Sequence, residues 1–156
     1  MKKRINTKLA SLAVLAVAVA FGSLAYSHCQ VPCGIYGDEA RFDAIAENIT
    51  TIEKSMKEIE ALSAEPKSNM NQIVRWVNNK EHHADELSET VTYYFMAQRV
   101  KIPPASDAKA NSAYVQKLTL LHQMLVYSMK AKQTTDLSNV DKLRHLLEDF
   151  HKAYSG

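Results

Sequence analysis

Apolar residues return at three- and four-residue steps along most of the chain beyond position 40, the period of an amphipathic helix rather than of a strand. Phe42, Ile45, Ile49, Ile52, Met56, Ile59 and Leu62 form the first stripe, with Asp38 placed as its N-cap. Pro66 breaks the chain, and Ser68 or Asn69 is positioned to cap a second segment. There Ile73, Trp76, Val77, Leu87, Val91, Tyr94 and Phe95 carry the pattern to about Val100, and Pro103 and Pro104 stop it. A third segment runs from about Asp107 through Tyr114, Leu118, Leu121, Leu125 and Met129. A fourth runs from Ser138 through Val140, Leu143, Leu147, Phe150 and Tyr154, and Ser138 with Asp141 three residues on resembles a capping box. Four amphipathic helices with short links predict an all-α, antiparallel up-down four-helix bundle, with an N-terminal hook projecting from the start of the first helix.

The first 27 residues follow a different pattern. Lys2, Lys3, Arg4 and Lys8 precede an almost unbroken apolar run from Leu9 to Leu24, which ends in Ala25-Tyr26-Ser27 with small residues at −3 and −1. This is the layout of a cleaved secretory signal peptide, so residues 1–27 are expected to be removed and 28–156 to form the mature domain. Export places the product in the periplasm or another extracytoplasmic space, with no stable membrane association after processing.

Removing the leader changes the charge. It holds four of the 19 basic residues and none of the 17 acidic ones, so the precursor's +2 becomes −2 in the remaining 129 residues. That length supports one domain with a real core. No Lys/Arg cluster interleaved with aromatics survives, which excludes a nucleic-acid partner. Inside the bundle, a di-metal carboxylate site would need Glu-x-x-His on two helices, and Glu148 with His151 supplies one pair only. His82 and His83 are adjacent and so face different directions, while His122 and His145 lack matching carboxylates; these read as structural or solvated histidines. There is no Cys-x-x-Cys-His, no Gly-rich phosphate loop and no nucleophile elbow.

The remaining chemistry lies in residues 28–36, His28-Cys29-Gln30-Val31-Pro32-Cys33-Gly34-Ile35-Tyr36, which hold both cysteines of the chain. In an exported protein two cysteines this close also suit a small disulfide loop. A cut before His28, however, exposes an α-amine, an imidazole and a thiol on consecutive residues, and the turn at Pro32 brings back a second thiol. Nitrogen and thiolate donors together suit copper or nickel, whereas zinc would want a fourth tetrahedral side chain that the segment lacks. An exported nickel- or copper-binding or delivery protein without turnover would use the same donors.

The segment resembles the metal hook of nickel superoxide dismutases, whose mature chains begin His-Cys-x-x-Pro-Cys-Gly-x-Tyr. Every fixed position is matched. The resemblance implies a four-helix bundle, assembled as a homohexamer, that converts superoxide to dioxygen and hydrogen peroxide by Ni(II)/Ni(III) cycling. It implies nickel held by the Cys29 and Cys33 thiolates, the His28 α-amine and the Cys29 backbone amide, with the His28 imidazole axial in the oxidised state. Pro32 would set the turn, through a cis peptide in the family, Gly34 would allow close backbone approach, and Tyr36 would stand over the open face of the metal.

The chain also departs from the family pattern. Gln30 stands where Asp is common. The link from Tyr36 to the first helix is about one residue shorter, which puts Asp43 where a Glu bonds the axial imidazole. His83 falls near the position of the family Arg that completes that network, with Arg75 or Arg41 as substitutes. Lys101 and Lys80 are candidates for steering an anionic substrate, and Val74, Tyr93 and Tyr127 for subunit contacts or core.

Overall fold

The computed structural model describes residues 37–156, all of the regular structure in them helical. Helix α1 spans Glu39–Leu62, α2 Pro66–Glu89, α3 Ala108–Gln133 and α4 Ser138–Ser155; α2 continues without a break into a π-helical stretch, Thr90–Arg99. Each helix packs on its two neighbours in the ring α1, α2, α3, α4 and back to α1, the closed arrangement of an up-down bundle.

The interior follows the periodicity. Phe42, Ile45, Ile49, Ile52 and Met56 of α1 are buried against Leu87, Val91 and Phe95, Leu121 and Met124, and Val140, Leu143 and Phe150. Burying such side chains drives the assembly, each contributing about 1.5–3 kcal/mol relative to exposure. The second stripe begins late: Ile73 and Trp76 are half-buried and Val77 is exposed, so α2 joins the full core only from about Lys80. On α4 the inward residue is Leu146, with Leu147 at the margin, and on α3 Met129 faces outward. Val74 and Tyr93 are exposed, whereas Tyr127 packs against the core margin.

Several ends are built differently from the sequence expectation. Pro66 follows the break between the first two helices, as expected, and itself opens α2, as suits a residue with no N–H to leave unpaired. Ser68 and Asn69 therefore lie inside the first turn, their side chains reaching back to the Glu65 and Leu62 carbonyls. Ser138 is no N-cap: its own N–H donates to the Asp136 carboxylate, 2.9 Å away. Asp107 does cap α3, accepting from the Ala110 N–H at 2.9 Å.

Lys80 is the clearest correction. It is 4% exposed, and its ammonium donates to the Lys132 and Thr134 carbonyls at 2.6 and 3.0 Å. It thus satisfies carbonyls left open at the end of α3, where a cation also meets the favourable end of the helix dipole. Burial pushes its pKa down. A lysine spent this way does not steer ligands.

Candidate metal centre and its base

His28, Cys29, Pro32, Cys33, Gly34 and Tyr36 lie outside the described residues, and what the fold defines is the platform from which they emerge. Gly37 is the first described residue, at φ 76°, a left-handed conformation that side-chain-bearing residues rarely adopt. Nothing stands within 4 Å of where its Cβ would be, so the requirement is conformational rather than steric.

Asp38 follows, in helical conformation and without a side-chain capping bond. Its carboxylate instead accepts three hydrogen bonds across the bundle end: from the Tyr94 hydroxyl at 2.5 Å, from Arg99 Nη2 at 2.6 Å and from the Tyr154 hydroxyl at 2.7 Å. Burial raises its pKa, but the bonds from Arg99, Tyr154 and Tyr94 outweigh burial and hold it at about 2. The same contacts push Tyr94, by burial first and by Asp38 second, up to about 12, and raise Arg99 above its ordinary value. All four groups therefore keep fixed protonation states near neutrality, and the base of the N-terminal segment is tied to the π-helical stretch and to α4.

The π-helical backbone delivers Arg99. Its i→i+5 bonding ends with the Val100 N–H on the Phe95 carbonyl at 2.9 Å, and Gln98 Nε2 donates to the Tyr93 carbonyl at 2.6 Å. Beneath the ion pair, Phe95 stands 4.9 Å from Phe42, 5.0 Å from Phe150 and 5.6 Å from Tyr154 between ring centroids, an edge-and-tilt cluster joining α1, the π-helical stretch and α4. His151 stacks on Phe42 at 4.2 Å and meets the Glu39 carboxylate at 3.1 Å, so it pairs across to α1 rather than with Glu148. Arg41 lies over the Tyr94 ring at 5.5 Å.

The residues expected to support the axial imidazole are not joined to one another. Asp43 is exposed on α1. His83 has Nδ1 2.7 Å from Asn48 Oδ1 and 3.4 Å from Glu86. At about 1.5 Å per helical residue, Asp43 sits roughly 7.5 Å along α1 from Asp38, and Asn48, which marks the level of His83, roughly 15 Å. Arg75 lies lower still, one turn before Asn79, which bonds Ser55. His82 does not point away from His83 as adjacency suggests: Glu86 reaches both, with His82 Nε2 at 3.2 Å. Even so, no group of three His, Cys, Asp or Glu among the described residues is arranged to hold a metal.

The family model of nickel-containing superoxide dismutases matches residues 23–156, a span that contains both the 28–36 segment and the entire described bundle. The chain belongs to this family. No curated protein and no solved structure matches it. As a nickel-containing superoxide dismutase it is an oxidoreductase whose substrate is superoxide and whose metal is nickel. The side chains fit that metal: an imidazole and two thiols in six residues form a soft environment that is anionic once the thiols ionise. The Asp38 anchor was missed in the sequence because an aspartate before a helix reads as a cap. Arg99 carried no signal either, since π-helical geometry leaves no distinct period.

Proposed function

We propose that the catalytic nickel of this dismutase sits on residues 28–36 of the processed chain, after removal of residues 1–27. The observation that carries this is the complete run His28-Cys29-x-x-Pro32-Cys33-Gly34-x-Tyr36 directly behind a leader with basic, apolar and small-residue regions. Cys29 and Cys33 would hold the metal through their thiolates, and His28 through its freed amine and imidazole. Bound nickel supplies the one-electron chemistry, by which two superoxide ions and two protons give one dioxygen and one hydrogen peroxide.

The chain's own groups do the rest. Pro32 sets the turn that returns Cys33, and Gly34 lets the backbone approach closely. Tyr36 orients the small anion by its phenol and excludes larger molecules. Asp43 is retained as a partner of the His28 imidazole. His83 was the first substitute for the family Arg; its bonds to Asn48 and Glu86 and its depth along the bundle favour Arg41, which stands near the anchor.

The same leader supports export to the periplasm, and no helix of the described residues is long and apolar enough to cross a membrane. Self-association is supported by apolar positions turned outward at helical spacing, Met70, Val74 and Val77 on α2, and the homohexamer follows from the family resemblance alone. The test of the metal site is nickel content by mass spectrometry of Cys29→Ser and Cys33→Ser. Each is expected to lose the metal, at least about a hundredfold in affinity, with helix content unchanged. Full nickel retention in both would remove these thiols from the site.

A further inference from the structure

A groove of about 500 Å³ opens between the Arg99–Pro104 link and the first turns of α3. Ala110 and Ala113, which present only methyl groups, line it together with Tyr114, Tyr154, Pro103 and Pro104. Arg99, Lys101 and Lys117 stand on it, and no acidic residue lines it. Lys117 lies over the Tyr154 ring at 5.6 Å. Ile102 at the edge is 82% exposed, the most exposed large apolar side chain described.

We propose that this groove seats residues 28–36 of the same chain, with Asp38 as the fixed point from which the segment turns into it. The proposal rests on reading that segment as the metal hook, and three observations point to it as occupant. The first is continuity: two groove-lining residues, Arg99 and Tyr154, hold the Asp38 carboxylate, so the chain enters the described fold at the groove's edge. Reach is ample, since nine residues extend to at most about 30 Å. Apolar contact is available on both sides, with Val31, Ile35 and Tyr36 to cover Ile102 and the proline wall.

Disulfide trapping tests the seat without nickel or turnover. Protein beginning at His28 and carrying Cys29→Ser keeps Cys33 as its one thiol; Ile102→Cys or Lys117→Cys adds a second in the groove, and Arg75→Cys adds one in the far half of the bundle. The three proteins are oxidised with glutathione disulfide at low protein concentration, helix content being checked first. Seating raises local concentration, so the two groove variants are expected to close an intrachain disulfide at least about tenfold faster than the Arg75 variant. Equal rates would overturn the proposal. So would groove crosslinks formed only between chains, which would give the groove to a neighbouring copy's segment. Nickel binding by the unaltered chain is scored separately, so a failed seat with retained nickel leaves the metal site standing, and trapped segments without nickel binding do the reverse.

Discussion

Asp38 shows how much one carboxylate can organise. Three donors converge on it, two of them phenols and one a guanidinium, and the negative charge is stabilised despite partial burial. Its folded pKa of about 2 lies below the ordinary 3.8, so its contribution is complete above about pH 4 and is lost as the pH falls toward 2. With allowance for solvent screening on the Arg99 side, that contribution is about 1–2 kcal/mol. Asp38→Asn is expected to lower neutral-pH stability by that amount and to flatten the acid limb between pH 4 and 2, measured by urea unfolding across pH. Lys80 gives a second residue-scale outcome. Lys80→Ala strands two carbonyls at the end of α3 and is expected to cost about 2 kcal/mol in thermal and urea unfolding, while superoxide turnover per bound nickel stays unchanged. A fall in turnover with stability intact would restore Lys80 as a steering residue.

At the scale of elements, the helices were legible because burial imposes a period. Phe42 to Ile59, Leu121 and Val140 to Phe150 are core in both sequence and structure. Helix ends were less legible, because Asp, Ser, Asn and Pro each admit more than one role near a terminus and only tertiary partners choose among them. Asp38 bonds across the bundle, Ser138 donates its N–H instead of accepting, and Pro66 opens α2 itself, so Ser68 and Asn69 fall inside its first turn. The π-helical stretch follows the same rule, since an i→i+5 run has no period that sequence reveals. Its value lies in combining Phe95, at the centre of the aromatic cluster, with Arg99 on the Asp38 carboxylate. Phe95→Ala is expected to cost about 3–5 kcal/mol in urea unfolding, with Asp38→Asn less than additive on top of it because both act on one bundle end. Full additivity would separate the cluster from the anchor.

For the whole molecule, the proposed chemistry precedes residue 37 and the described fold follows it. The described bundle has an apolar interior and, among its residues, no three-ligand metal group. The proposed metal donors all fall within the six residues from His28 to Cys33, so no tertiary fold is needed to bring them together, and the family match spans them and the bundle alike. What the motif could not reveal is the Asp38 anchor, since Asp38, Tyr94, Arg99 and Tyr154 are scattered over 117 positions. The central claim is that nickel catalysis depends on a freed His28. The measurement that tests it most directly is superoxide consumption by nickel-loaded protein beginning at His28, beside the same protein with one extra residue before it. Fast consumption by the first and loss of at least about a hundredfold in the second is the result expected when the α-amine is a metal ligand. Equal rates in the two would contradict the account, because a blocked amine could not then be part of the working site.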